Sequence, residues 1–457
     1  MSSWPFPTEA GSAWFHRTLL DLLYGMRGID VVAQRRWLRD AERWTPARRD
    51  AWRLHKLGNI LEHAWRHVPF YREYWGDHGV EFFRPAALEE LARYPVLTKK
   101  VFRANAARIQ PDNLSDIAHV AKHTGGTTGE PVHYRLDLAH WSLMQAFQEW
   151  GWAQAGYTRG EPAAVMAGGS LIDAHTTTAL RLRRLAENRL FLFGVHMDDS
   201  LAQSHHARLQ AFAPTVLYGY PSVLYLFSRV LRDRGLTLPS IRAVITTAEM
   251  LHPHYRTGIE AALGCRVFDN LGCNDGGFES FECTEHAGFH FNDYQAVLEL
   301  DAPEADGTGR LLVTNLWNRS TPFIRYENGD LARLDATPCG CGSAFPRIGA
   351  IDGRTADILS FTNGRSLSGP ALTLIFAPLA IEGWQVVQTA PDGVEVRLRQ
   401  PLPIEPRAQQ RIHSILHHHL GPEVNVTLRR VDALEVTAAG KRKPVWSKVP
   451  ALSTASH

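Results

Sequence analysis

The segment His123-Thr124-Gly125-Gly126-Thr127-Thr128-Gly129-Glu130-Pro131 combines three glycines with three threonines. Glycines let bare backbone approach a ligand, and consecutive N–H groups with threonine hydroxyls can cradle a polyphosphate. No Gly-Lys-Ser/Thr closes the segment, so it is not a Walker loop, and the same composition also suits a plain surface turn. A second constellation is Cys339-Gly340-Cys341-Gly342, together with Cys283 and the histidines of Glu282-Cys283-Thr284-Glu285-His286-Ala287-Gly288-Phe289-His290. Thiolates plus an imidazole suit a tetrahedral Zn²⁺ with no open position, which is a stabilising rather than a catalytic site. His290 is the preferred fourth ligand and His286 its rival; the alternative is reduced thiols packed as small apolar groups. Toward the end of the chain, Gly440-Lys441-Arg442-Lys443 and Lys448 make a basic run that suits a solvated face, while a point cation on a flexible stem also suits charge developing on oxygen.

These residues need a scaffold, and the patterning supplies one. The chain has 457 residues, with 49 Lys+Arg against 47 Asp+Glu, a net charge of +2. So balanced a chain is not built to bind nucleic acid through bulk electrostatics, and no nucleic-acid motif occurs. Leu54, Leu57, Ile60, Leu61 and Ala64 recur at helical spacing within a helical lead-in over residues 1–110. Short apolar runs at Ala163–Ala167, Thr215–Tyr218 and Ala243–Thr247 then alternate with helical patterns at Ser222–Asp233 and Pro253–Leu263. That rhythm predicts an α/β fold with a doubly wound, mainly parallel sheet. Closely spaced strands at Val297–Leu300, Gly309–Asn315 and Asp330–Leu334 predict an appended antiparallel β-segment. The expected domains are 1–354 and a small α+β lid over 355–457, with their boundary at Gly353-Arg354-Thr355-Ala356-Asp357. Five cysteines are too few for a disulfide framework, and neither a signal peptide nor a membrane span is read, so a cytoplasmic protein without membrane insertion is expected.

Taken in order, the segments resemble the adenylate-forming acyl- and aryl-CoA ligase superfamily, and within it the phenylacetate–CoA ligase family and its capsule-biosynthesis relatives. The likeness runs through Val68-Pro69-Phe70-Tyr71-Arg72, Tyr94-Pro95-Val96-Leu97-Thr98-Lys99 and the Gly/Thr segment. It continues through Tyr218-Gly219-Tyr220-Pro221-Ser222, Thr246-Thr247-Ala248-Glu249 and Asn270-Leu271-Gly272-Cys273-Asn274-Asp275. Pro322-Phe323-Ile324-Arg325-Tyr326-Glu327-Asn328-Gly329-Asp330, Gly353-Arg354-Thr355-Ala356-Asp357 and Ala439-Gly440-Lys441 complete it.

The resemblance implies a division of labour. Thr124, Gly125, Gly126, Thr127, Thr128 and Gly129 would hold the departing phosphates of ATP. Ala248 and Glu249, with Asn270, Gly272 and Asn274, would line the nucleotide site, although Glu249 also reads as a helix-start residue. Asp275 would hold Mg²⁺, Asp330 would accept the ribose hydroxyls, Arg354 would contact the nucleotide, and Lys441 would reach the α-phosphate. Tyr218, Tyr220 and Pro221 would border the carboxylic acid, and Cys283, His290, Cys339 and Cys341 would hold the structural Zn²⁺. The implied activity is ATP-dependent activation of a carboxylic acid, aromatic acids included, as an acyl-adenylate. Transfer to CoA, a carrier-protein thiol or an amine would follow, and a homodimer is compatible with all of this. Two departures keep rivals open. Leu271 replaces the aromatic beside the adenine, and Ala356 takes the first of two acidic hinge positions. The rivals are a CoA-independent amide or ester ligase and a non-catalytic binding subunit.

Overall fold

The structure, a computed structural model, describes residues 11–123, 132–168, 183–194, 197, 199–273, 276–354, 358–363, 365–368, 372, 376, 381, 383–400, 405–436 and 444–449. The described residues up to Ile351 form one compact unit and those from Asp352 a second.

The large unit is organised by a sheet of twelve strands among the described residues. Five are parallel and lie in the spatial order β5 (Arg189–Phe193), β4 (Ala163–Ala167), β6 (Val216–Gly219), β7 (Ala243–Thr247) and β8 (Arg266–Cys273). Their interior is alanine and β-branched or aromatic, and β4, β6 and β7 are buried throughout, as expected of parallel strands covered on both faces. Beyond β8 the sheet turns antiparallel through β9 (Phe278–Glu282), β10 (Phe289–Phe291) and β14 (Arg347–Arg354), and then β13 (Tyr326–Asp335), β12 (Gly309–Asn315) and β11 (Ala296–Asp301). The helix Leu138–Gln154, capped by Asp137, lies on the face that carries Phe281: Phe147 meets that ring at 5.6 Å.

The helical lead-in is tied to this sheet by the segments that carried the resemblance. Tyr71 donates its hydroxyl to the Pro322 carbonyl at 2.7 Å. The two-residue strand β1 (Leu97–Thr98) pairs in parallel with Tyr326 and Glu327, and the buried Arg325 guanidinium donates to the carbonyls of Ala92 and Tyr94. Thr98 then caps the helix Lys99–Asn105. Those segments therefore serve partly as chain-to-chain stitching. Trp37, Trp44 and Trp52 pack around Tyr294, whose hydroxyl donates to the Ala41 carbonyl at 2.6 Å.

In the small unit, β17 (Gly383–Ala390), β18 (Gly393–Arg399), β19 (Asn425–Val431) and β20 (Val445–Ser447) form a sheet in the order β19-β18-β17-β20. The helix Pro406–Leu420 links the parallel pair β18 and β19, and Ile412, Leu416 and Leu420 close a separate core with Val386, Val396 and Val445. Among the described residues, no helix is long and apolar enough to cross a membrane.

Candidate active-site edge and a cysteine–histidine cluster

Parallel strands present the loops after their carboxyl ends along one edge, which is where open α/β sheets take ligands. The adjacent strands β6, β7 and β8 end at Gly219, Thr247 and Cys273, so Tyr218-Gly219-Tyr220, Ala248-Glu249 and the Gly272-Cys273 end of β8 lie there side by side. Gly219 is obligatory: a Cβ there would stand 1.9 Å from the Met166 carbonyl oxygen, and the Tyr220 N–H already reaches that oxygen at 3.3 Å. The chain turns at once into the helix Pro221–Asp233, with proline in its first turn. Ala248 takes φ +69°, a left-handed conformation costly for a residue with a Cβ, at the turn leaving β7.

That turn aims Glu249 across to the neighbouring helix, where its carboxylate accepts the Ser222 N–H at 3.2 Å. Glu249 thus sits at a helix start, but of the preceding helix, where a carboxylate meets unpaired N–H groups and the positive dipole end. Asn270 lies on β8 with its side chain committed to the sheet: it accepts from Thr247 Oγ1 at 3.1 Å and donates to the Ser280 carbonyl at 2.8 Å. Beside it, Thr246 donates to Asp269 at 2.6 Å, and burial together with the Glu282 carboxylate pushes Asp269 up to about 7. Gly272 has open space where a Cβ would project.

Asp330 reaches the same edge through one intermediary. Between Arg310↔Leu331 and Leu312↔Glu327 the β12–β13 register slips, so Asn328, Gly329 and Asp330 bulge out opposite Leu311. Asn328 donates to Asp330 Oδ2 at 2.6 Å and to Cys273 Sγ, at the end of β8, at 3.4 Å. The carboxylate is therefore fixed one side chain from the end of β8. Tyr218, Tyr220 and Pro221 are buried where β6 gives way to its helix. Arg354 ends β14. Thr124, Gly125, Gly126, Thr127, Thr128, Gly129, Asn274, Asp275 and Lys441 lie outside the described residues.

Reading by motif missed Glu279. The pairing Gly272↔Glu279 puts it on β9 beside the open space over Gly272. Its Oε2 is buried with no hydrogen-bond partner among the described residues, and burial pushes the carboxyl up to about 8. A glutamate in an alternating strand reads as outward-facing, and no local signal marks this one as buried.

The cysteines and histidine of the second constellation meet at the far side of β9. Cys283 follows β9, His290 lies on the adjacent β10, and Cys339 and Cys341 come from the turn between β13 and β14. Their ligand atoms all lie within 4.8 Å of one another. Cys283 Sγ is 3.6 Å from Cys339 Sγ, and Cys341 Sγ is 3.3 Å from His290 Nε2. A tetrahedron with ~2.3 Å metal–sulfur and ~2.0 Å metal–nitrogen bonds has edges of roughly 3.5–3.8 Å, so the four atoms already stand near its corners. His290 Nδ1 lies 2.7 Å from the Phe345 carbonyl, a contact that fixes the tautomer with Nε2 free to ligate. Burial pushes the Cys283 thiol up to about 12, and a cation there would reverse that preference. The rival His286 is engaged elsewhere, with Nδ1 at 3.1 Å from Glu282 and 3.3 Å from Arg256.

No family model matches the chain. A phenylacetate-coenzyme A ligase of Pseudomonas putida is 28% identical over 333 residues, 68% of this chain and 72% of that protein. Protein CapK of Staphylococcus aureus is 24% identical over 268 residues, 58% of this chain and 59% of that protein. Among solved structures, a 2-hydroxyisobutyryl-CoA ligase in the postadenylation state, in complex with R3-HIB-AMP, aligns with a TM-score of 0.68 at 20% identity, over 89% of this chain and 90% of that one. The chain is thus similar to phenylacetate-CoA ligases and to CapK, and it has the fold of an adenylate-forming CoA ligase.

Proposed function

We propose that this chain is an AMP-forming acid ligase that joins a carboxylic acid to ATP as an acyl-adenylate and hands the acyl group to CoA, or to another thiol or an amine. The observation that carries this reading is the convergence at one sheet edge: Tyr218 and Tyr220, Ala248 and Glu249, and Asn270 to Cys273 emerge from three adjacent parallel strands, with Asp330 tied to the last of them.

In the first step a carboxylate oxygen of the acid attacks the α-phosphorus of ATP, the bond to the β-phosphate oxygen breaks, and pyrophosphate leaves. Such transfer is mainly positioning and charge neutralisation. Thr124–Gly129 would hold the β- and γ-phosphates, Asp330 would anchor the ribose hydroxyls, and Arg354 would contact the nucleotide. Asp275 would supply the hard oxygen ligand suited to Mg²⁺, and the ion would neutralise phosphate charge. Lys441 would place its ammonium against the oxygens that gain charge, delivered by the small C-terminal domain, with the division near residue 354. In the second step the acceptor sulfur or nitrogen attacks the acyl carbon and AMP departs. Cys283, His290, Cys339 and Cys341 would hold a structural Zn²⁺ that pins the β9–β10 hairpin to the turn before β14, away from the chemistry.

Acid-dependent pyrophosphate release across a panel of carboxylic acids, with and without CoA, tests the reading. Release with at least one acid, abolished in Lys441→Ala, is expected. No release from any acid would return the chain to the binding-subunit reading.

A further inference from the structure

The large unit contains a cavity of about 200 Å³ between the helices Gly11–Gly25 and Leu138–Gln154 and the edge of the parallel sheet. Its walls include Tyr24, Trp152, Tyr218, Phe191, Arg159 and Arg189. Cross-strand register fixes their layout. Val165 pairs with both Phe191 and Tyr218, and Ala163 pairs with Arg189, so these side chains share one sheet face. Arg189 stands two residues before Phe191 along the strand and two strands across from Tyr218. At ~3.3 Å per residue and ~4.8 Å per strand, the two backbone positions are about 12 Å apart. Tyr218 belongs to the candidate active-site edge, Arg189 enters the same cavity from the edge strand β5, and both side chains meet Trp152.

The charges lining this space do not balance. Arg35 donates to Glu149 at 2.6 Å and lies 3.4 Å from Asp21, Arg159 pairs with the same two acids, and Arg183 donates to Glu187 at 2.8 Å. Arg189 has no carboxylate partner among the described residues. Its guanidinium lies over the Trp152 ring at 4.8 Å, and its Nε is buried without a hydrogen-bond partner. A guanidinium lying over an aromatic wall, with a buried donor unspent, is prepared for a planar anion.

We infer that this cavity takes a dicarboxylic acid with a flat apolar body: one carboxylate at the Tyr218 end for activation, the other paired with Arg189. The inference rests on the acid-ligase reading for the first carboxylate only. The second requires only Arg189 and Trp152 in the cavity wall, and binding can be measured without turnover.

The probes are 4-carboxyphenylacetate and phenylacetate, which share a ring and an activatable acid and differ in the distal charge. Calorimetric titration of the full-length protein is expected to show 4-carboxyphenylacetate binding at least tenfold more tightly, with the same order in kcat/KM from pyrophosphate release. Arg189→Met is expected to reverse the order and Arg189→Lys to restore part of it. If phenylacetate binds the wild type equally well or better, or if Arg189→Met keeps the preference, the inference falls. The wild-type comparison decides the matter even if Arg189→Met does not fold. Tight binding of the diacid, with no pyrophosphate release from it or from any other acid of the panel, would overturn the ligase reading and leave the cavity assignment standing.

Discussion

Replacing Glu279 by glutamine should alter how the stability of the protein depends on pH. The carboxyl is buried, its Oε2 has no hydrogen-bond partner among the described residues, and burial raises it from its ordinary 4.5 to about 8. A carboxyl with a raised folded-state pKa contributes its full stabilisation below 4.5, where both states are protonated. It loses that contribution as pH rises toward 8, because the unfolded chain releases the proton first. At ~1.4 kcal/mol per pH unit, the gap amounts to on the order of 5 kcal/mol, of which about 3 falls between pH 5.5 and pH 8. Glutamine keeps the shape and cannot ionise, so Glu279→Gln should gain on the wild type by about 3 kcal/mol across that interval. Asp269, also raised, titrates alike in both proteins and cancels from the comparison. Urea unfolding followed by tryptophan fluorescence at the two pH values reads the effect as a relative midpoint shift of roughly 0.5–1 M. An identical wild-type-to-variant difference at both pH values would refute the reasoning, because it would mean that the carboxyl is ionised throughout.

Three further outcomes are expected. The purified protein should carry about one zinc per chain by elemental analysis, and the Cys339→Ser/Cys341→Ser double variant none, with a lower melting temperature; zinc-free wild type of unchanged melting temperature would falsify the closed site. Glu249→Ala should cost about 1 kcal/mol through loss of the Ser222 cap and the helix-end charge, and Glu249→Gln less, both measured by thermal unfolding. Asp330→Ala should raise KM for ATP at least tenfold with a smaller effect on KM for the acid; equal rises in both would argue against a ribose contact.

What the sequence disclosed and what it withheld divide along physical lines. The strands Ala163–Ala167, Ala243–Thr247 and Gly309–Asn315 and the helix Pro253–Leu263 match their apolar patterns residue for residue, because each is bounded by turn or cap residues. Asp330, the first residue of the strand expected over Asp330–Leu334, lies inside the longer strand β13 on a bulge that only the register with β12 reveals. Asn270, which the resemblance sets beside the nucleotide, also ties β7 to β9 with its side chain, a long-range arrangement invisible in a local motif. The Cys339-Gly340-Cys341 turn marks the sulfurs and the sequence already prefers His290 to His286; the Phe345 carbonyl and the Glu282–Arg256 pair supply the physical reason. Glu279 and Arg189 carried no motif at all; what distinguishes them is unbalanced charge, which appears only once neighbours are known.

The stitch between the lead-in and β13 has a consequence during synthesis. Tyr94 and the Arg325 that holds its carbonyl are 231 residues apart. At ~5–20 residues per second, a ribosome takes roughly 10–50 s to supply the second after the first. For that interval Leu97 lacks its pairing with Tyr326 and Phe102 lacks the rings of Phe323 and Tyr326, so this stretch of the nascent chain keeps apolar surface exposed until the antiparallel strands emerge.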